Sequence, residues 1–140
     1  MANDLKAISP TGSYLISLPA DISSEKDERV VSFWKSGKEA LLQISSYVRE
    51  TGPQVSATER LKARLDKERL TDVKTENMAI PHCPDCAAAS GNEDGVKWLY
   101  CYAVWPDLTV LITISGPPGE LEQQRLWAYE ALRSLRRRSD

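Results

Sequence analysis

Two apolar runs in the last third of the chain constrain the fold more than any other feature. In Val96–Trp105 the aromatic residues Trp98, Tyr100 and Tyr102 alternate with apolar residues, so that both faces of an extended segment are apolar. A strand of this kind is covered on both sides and lies in the centre of a sheet. Pro106-Asp107 then suits a tight turn, because proline presets the backbone dihedral, and Leu108–Ile114 returns as a second apolar run. The sequence therefore predicts an antiparallel hairpin at the core.

Composition narrows the class of protein. The chain has 140 residues, of which 41% are hydrophobic and 27% charged, as in ordinary globular domains, and we expect a single domain over residues 1–140. Eighteen basic and twenty acidic residues leave a net charge of -2, which does not favour a nucleic-acid partner. Neither a signal peptide nor a membrane-length apolar run is evident. We expect a cytoplasmic protein with no membrane insertion and with its three cysteines reduced.

The first 48 residues show strand patterns separated by turn signals. Ser13–Leu18 is predicted as a strand that Pro19 stops, which favours an edge position. Asp21–Glu28 is interpreted as a charged loop, and Val30–Trp34 as the next strand. Apolar and polar residues alternate through Ala40–Val48, which is typical of a half-buried strand and predicts a hairpin with the preceding one.

Two helices are predicted. Ser56 and Glu59 have capping-box spacing, which indicates a helix over about Ala57–Leu70. A long amphipathic helix is predicted from just after Gly119 towards the terminal arginines, whose charges suit its negative end. At 100° per residue one face of this helix collects the residues that should lie on the sheet: Leu121, Gln124, Trp127, Ala128, Ala131, Leu132 and Leu135.

This order of elements predicts an α+β fold, an antiparallel β-sheet with helices packed on its faces. The chain resembles the PsbP-like fold in Tyr14–Pro19, in the hairpin at Pro106-Asp107, and in Ser115-Gly116-Pro117 leading into a helix with Trp127-Ala128-Tyr129 and Leu132–Leu135. That fold includes PsbP, the Ran-binding Mog proteins, DcrB-like proteins and the effector-associated chaperones of type VI secretion. The resemblance implies an α/β/α sandwich with a long C-terminal helix, and a role in docking on other proteins.

One short motif offers candidate chemistry, the run His82-Cys83-Pro84-Asp85-Cys86. Cys83 and Cys86 could close a redox disulfide or, with His82, supply part of a zinc site. A zinc site needs four ligands, and the remaining cysteine, Cys101, falls in the predicted central strand. A thioredoxin-like site would start a helix, whereas Ala87–Gly91 is typical of a short strand or loop. The favoured interpretation is an exposed proline-rich turn with two incidental thiols, without metal or cofactor.

Three functional hypotheses remain. The first is a non-catalytic, cytoplasmic bacterial protein-binding module, with a secretion-effector chaperone or an immunity protein as its concrete forms. Its partner would be another protein, and a homodimer is compatible with it. The second is a redox or metal protein that uses Cys83 and Cys86. The third is a small-ligand carrier with a pocket under Trp98, Tyr100 and Tyr102, which full burial of these residues without a cavity would exclude.

Overall fold

The structure, a computed structural model, describes residues 5–8, 12–48, 54–78 and 80–138, and the side chains of all of these except residues 5–7, 48 and 120–126. Along these ranges the chain forms the following strands and helices: β1 (Leu5–Ile8), β2 (Tyr14–Pro19), β3 (Ile22–Asp27), β4 (Val30–Lys35), β5 (Leu41–Val48), α1 (Ala57–Lys67), β6 (Thr71–Glu76), β7 (Asp85–Glu93), β8 (Val96–Trp105), β9 (Leu108–Gly116), α2 (Pro118–Arg133) and β10 (Arg136–Arg137).

The strands form two antiparallel sheets. The larger has seven strands in the order β3-β4-β5-β9-β8-β7-β6, and the smaller has the order β1-β2-β10. The predicted core hairpin is confirmed: β8 and β9 pair from Lys97 opposite Gly116 to Trp105 opposite Leu108, and β8 is central between β7 and β9. The fold is thus a mostly antiparallel α+β structure with two helices in the part of the chain described.

The two faces of the large sheet carry separate apolar clusters. On one face β8 contributes Leu99, Cys101 and Trp105, and α2 and β2 pack over them with Ala128, Ala131, Leu132, Tyr14 and Ile16. On the other face β8 contributes Tyr100, Tyr102 and Val104, over which α1 places Ala57 and Leu61. Strand alternation separates these two sets of β8 side chains, which is why both sets are apolar.

Helix α1 forms for the reason the sequence indicates. The Ser56 hydroxyl accepts a hydrogen bond from the Glu59 amide at 3.2 Å, and Ala57 and Leu61 are buried. The helix ends at Lys67 rather than Leu70, because the chain turns extended at Glu68 and continues into β6.

The long C-terminal helix is not supported. α2 spans 16 residues, begins at Pro118 and ends at Arg133. Beyond it, Arg136 and Arg137 pair with Leu15 and Tyr14 of β2, and Arg137 donates to both carboxylate oxygens of Asp107, at 2.8 and 2.6 Å. This pairing with β2 and the β8–β9 turn removes Arg136 and Arg137 from the helix, whereas Arg133 stays in its last turn.

Of the predicted α2 face, Ala128, Ala131, Leu132 and Leu135 are buried and Trp127 is half-buried. The side chains of Leu121 and Gln124 lie outside the described residues. No helix among the described residues is long and apolar enough to cross a bilayer.

Two predictions in the first 48 residues are wrong. β2 is not an edge strand, since β1 and β10 flank it, and Pro19 is its last residue, opposite Leu5. The segment interpreted as a charged loop contains β3, which pairs with β4 over its whole length. β3 lies at the edge of the seven-stranded sheet and is largely exposed. An edge strand tolerates charged residues, and the charged residues of β3 are the reason that the sequence predicted a loop there.

Candidate binding surface and the cysteine turn

Part of one face of the seven-stranded sheet is left uncovered by helix α1. α1 packs on β7 and β8, and no other described helix packs on this face, where β4 and β5 lie beyond α1. The strand register places Gln43 of β5 opposite both Ser32 of β4 and Thr113 of β9 on this side, with Ser45 beside Leu111 in the next row. We call the α1-side surface of β3, β4, β5 and β9 the open face.

The side chains of the open face are mixed rather than apolar. Gln43, Ser45 and Thr113 are half-buried, and Gln43 donates a hydrogen bond to the Ser32 hydroxyl at 3.2 Å. At one end Tyr47 is 44% exposed, and the guanidinium of Arg29 lies 5.9 Å from its ring centroid. A surface of this composition is wetted in the free protein and can exchange water for a partner's polar groups.

A cavity of about 620 Å³ lies where the open face meets α1. Its floor includes Gln43, Ser45 and Thr113, and its wall includes Trp98 and Tyr100 of β8. The rings of Trp98 and Tyr100 stack with their centroids 5.7 Å apart and their planes inclined by 14°. The half-buried Trp98 indole therefore lies against a second ring and borders the cavity.

Charged groups rim the cavity at the end of α1 and at the β7–β8 turn. Arg64 forms an ion pair with Glu68 at 3.5 Å. Burial acts to lower the pKa of Arg64, but a hydrogen bond to Tyr102 and the charge of Glu68 outweigh it and raise that pKa. Glu93 and Asp94 approach from the β7–β8 turn and form no ion pair with a described residue. The rim thus holds three carboxylates against one guanidinium.

The carboxylates of the cavity rim also affect the pKa of Tyr100 in the aromatic wall. Burial, together with the nearby carboxylates of Glu68 and Glu93, raises the pKa of Tyr100 to about 12, and the positive charge of Arg64 offsets part of this effect. The Tyr100 hydroxyl consequently stays protonated into the alkaline range.

The aromatic residues of β8 are mainly packing residues, as the sequence indicates. Tyr100 is 5% and Tyr102 9% exposed, and both pack under α1. Trp98 is only half-buried and a cavity lies beside it. The condition that would exclude the small-ligand hypothesis is therefore not met.

The cysteine motif does not form one exposed turn. Pro81 and His82 are exposed in a turn, whereas Cys83 and Cys86 are half-buried and Asp85 already opens β7. The His82 carbonyl accepts a hydrogen bond from the Trp105 indole at 3.1 Å, and the Asp85 carboxylate accepts one from the Ala57 amide at 2.8 Å. The segment therefore ties the start of α1 to the sheet.

The thiols of this segment are engaged locally. The Cys83 thiol donates to the Asp85 carbonyl at 3.1 Å, and the Cys86 thiol donates to the Met78 carbonyl at 3.2 Å. All three cysteines are free, and Cys101 is fully buried. Burial raises the pKa of the Cys83 thiol and, far more strongly, that of Cys101. Raised pKa values reduce the thiolate population that redox and metal chemistry require.

His82 lies apart from the cavity-lining residues. Within the described ranges, no group of three or more His, Cys, Asp or Glu side chains is placed to hold a metal ion. The zinc and redox roles of His82, Cys83 and Cys86 stay predictions.

The open face and the carboxylates at the rim of the cavity were not predicted from the sequence. Asn92-Glu93-Asp94-Gly95 carries a recognisable hairpin signal, Asp-Gly, and both Asp94 and Gly95 adopt positive φ, 52° and 80°. That signal could have located the β7–β8 turn. It could not have shown that the turn lies beside Glu68, because this contact depends on how α1 lies over the sheet.

The architecture defines a class, the PsbP-like fold: an antiparallel sheet with α1 on one face and α2 with the small sheet on the other. Two solved structures support this assignment. The chain is similar to cyanobacterial PsbP (CyanoP) from Synechocystis sp. PCC 6803, with a TM-score of 0.62 and 10% identity over 99% of this chain and 95% of that one.

The second structure is that of a protein from Bacteroides thetaiotaomicron VPI-5482, with a TM-score of 0.67 and 16% identity. The alignment covers all of this chain but 50% of that protein, so this chain spans half of that structure. No family model and no curated protein matches the sequence. At these identities the likeness establishes the fold alone.

Proposed function

We propose that this protein is a non-catalytic protein-binding module that receives a segment of its partner on the open face. The observation that carries the proposal is the uncovered, mixed polar and aromatic surface of β4, β5 and β9 beside α1. The same surface disfavours a purely apolar occupant, because Ser45 and Thr113 on its floor would lose water without gaining a hydrogen-bond partner.

A protein segment suits this surface better than a small compact ligand. The hydrogen-bonding side chains follow adjacent strands in register, Ser32, Gln43 and Thr113 in one row. Peptide groups and polar side chains of a bound segment can satisfy such a row along its length. His82, the chain's single imidazole, is not among the cavity-lining residues, so the cavity has no histidine to act as a general base. This supports binding rather than catalysis.

The concrete forms of the proposal are a bacterial secretion-effector chaperone or an immunity protein, acting in the cytoplasm. Their support is the resemblance to PsbP-like proteins, some of which act by docking on other proteins. In both forms the partner is a protein. A finer subgroup, such as the DcrB-like or Ran-binding proteins, is a proposal of the same standing.

Site-specific photo-crosslinking tests the proposal. A photoreactive phenylalanine analogue replaces Ser45 on the open face and, as the matched control, exposed Ser24 of β3, whose side chain lies on the opposite face. In lysate of the source organism the probe at Ser45 should yield an adduct of one defined mass. The probe at Ser24 should not.

A second variant tests whether the adduct depends on docking of the partner in the cavity. Gln43→Arg places a longer, charged side chain on the floor of the cavity and should remove the adduct from the Ser45 probe, while circular dichroism and thermal unfolding stay those of the parent. Equal adducts from both positions, or an adduct that Gln43→Arg leaves unchanged, would contradict the proposal.

One observation favours a second candidate function, a small-ligand carrier. The cavity of about 620 Å³ is large enough for a metabolite-sized molecule and has an aromatic wall. A carrier should retain its ligand through purification, so native mass spectrometry should show one discrete added mass. Loss of that mass in Thr113→Arg, but not in Ser24→Arg, would place the molecule on the open face.

A further inference from the structure

The cavity beside α1 has a charge pattern that selects among partner segments. Three carboxylates reach its rim, from Glu68, Glu93 and Asp94, against the single guanidinium of Arg64. Arg64 is already engaged, by Glu68 at 3.5 Å and by the Tyr102 hydroxyl. Glu93 and Asp94 have no cationic partner among the described residues. The cavity thus has unsatisfied negative charge at its β7–β8 end.

The aromatic wall points to the same ligand chemistry. Trp98 is half-buried, lines the cavity and stacks on Tyr100. The face of an indole attracts cations through its quadrupole, and guanidinium groups most readily because they are planar. The adjacent Lys97 does not compete for this role, because strand alternation directs it to the opposite face. A cation placed here meets an aromatic face and two free carboxylates together.

We propose that this cavity binds an arginine or lysine side chain of the partner protein, with Trp98 as its platform and Glu93 and Asp94 as its counter-charges. This inference rests on the proposed function, since it names the chemistry of the segment that docks on the open face. The segment carries at least one basic residue next to polar residues that satisfy Gln43 and Thr113. A partner segment of acidic or wholly apolar composition is excluded.

The test uses a defined probe, the blocked peptide acetyl-Gly-Arg-Gly-Arg-Gly-amide, titrated into the ¹⁵N-labelled full chain. Its matched control is the same peptide with citrulline in place of arginine, which keeps the shape and removes the charge. The arginine peptide should shift the Trp98 indole N–H resonance saturably, with millimolar or tighter affinity. The citrulline peptide should bind roughly tenfold more weakly.

Variants of the protein test whether Glu93 and Asp94 are the counter-charges of the bound arginine. Glu93→Gln with Asp94→Asn should weaken the arginine peptide roughly fivefold at low salt and less at high salt, because both carboxylates are partly exposed. The matched control, Glu25→Gln with Asp27→Asn, removes the same charge from the β3 edge of the same face and should change the affinity less than twofold. Glu93 is half-buried and the other three side chains are exposed, so both double variants should fold.

Outcomes separate this inference from the function it rests on. Equal binding of the arginine and citrulline peptides, an unmoved Trp98 resonance, or an unchanged affinity in the Glu93 and Asp94 variant would overturn the basic-segment inference. Photo-crosslinking from Ser45 could still succeed in that case, and the binding module would stand with another partner chemistry. Conversely, selective peptide binding without any adduct from Ser45 would support the cation site and refute the proposed function.

Discussion

Asp85 provides a sharp test of whether the cysteine segment is structural. Its carboxylate accepts a hydrogen bond from the Ala57 amide at 2.8 Å, at the first residue of α1. Ala57 is fully buried, at 0% exposure, so that its amide cannot turn to water when the carboxylate is removed. We expect Asp85→Ala to destabilise the protein and Asp85→Asn to do so less.

The magnitude follows from the hydrogen bond that Asp85→Ala removes. Leaving a buried donor unpaired costs about 1–3 kcal/mol, and removing a capping interaction costs about 0.5–2 kcal/mol. These figures describe the same hydrogen bond and are not added, so we expect about 2 kcal/mol for Asp85→Ala. Asp85→Asn keeps an acceptor oxygen and removes only the charge beside the helix N-terminus, worth about 0.3–1 kcal/mol.

Urea unfolding followed by tryptophan fluorescence measures these changes in the free energy of unfolding. Asp85→Ala should lower the midpoint without changing the slope, and the thermal midpoint should fall by roughly 4–8 °C. Asp66→Ala removes an exposed carboxylate from α1 and should be neutral or slightly stabilising, because alanine favours helices. An unchanged midpoint in Asp85→Ala would refute the capping argument, and equal destabilisation by Asp85→Ala and Asp85→Asn would show that charge alone matters.

Three further predictions concern packing, pH and the thiols. Gly116→Ala would place its Cβ 2.9 Å from a backbone Cα atom of the neighbouring segment and should cost about 1–3 kcal/mol in thermal unfolding, whereas Gly119→Ala, with nothing within 4 Å, should stabilise α2 by up to about 1 kcal/mol. Hydrogen bonds from Arg137 lower the pKa of Asp107 in the folded state. The ionised Asp107 carboxylate therefore stabilises the fold above its unfolded pKa, and this stabilisation is lost as the pH falls below about 4. Asp107→Asn should flatten that part of the curve of stability against pH. Cys83→Ser with Cys86→Ser should leave the photo-crosslink from the open face intact, and loss of the adduct in a folded double variant would favour the thiol hypothesis instead.

The parts of the fold that the sequence predicts well are those where packing dictates residue type. β8 is apolar on both faces, so its central position follows directly from the residues, and the apolar run of β9 pairs with it across the predicted turn. α1 is predicted through its cap, Ser56 with Glu59, and through the stripe that contains Leu61. Each of these signals lies within a few consecutive residues. These elements can therefore be predicted from the sequence without the structure.

The errors arise where tertiary pairing overrides local composition. β3 resembles a loop because of Glu25, Lys26 and Asp27, and pairing with β4 makes it a strand despite them. The C-terminal helix is shorter than predicted because Arg137 gains two hydrogen bonds to Asp107 and a place beside β2. Both outcomes depend on partners that are distant in sequence.

The candidate site was the least predictable part. Its members come from α1, β4, β5, β7, β8 and β9, and none of them forms a local ligand-binding motif. Glu93 and Asp94 lie about 25 residues along the chain from Glu68, and the shared cavity exists because α1 crosses the β7–β8 end of the sheet. The cysteine segment, the short motif that offered candidate chemistry, instead contacts the start of α1 through Asp85.

The residue pattern of β5 nevertheless indicates why one face stays open. Leu42 and Ile44 are fully buried towards α2, whereas Gln43 and Ser45 on the other side are half-buried and polar. β8 has apolar residues on both sides because α1 and α2 each cover it. A permanent cover over β5 would favour apolar residues there too. The alternation of polar residues in β5 therefore favours a partner that binds reversibly. Such a partner would be held through hydrogen bonds and a charged side chain rather than through a second apolar core.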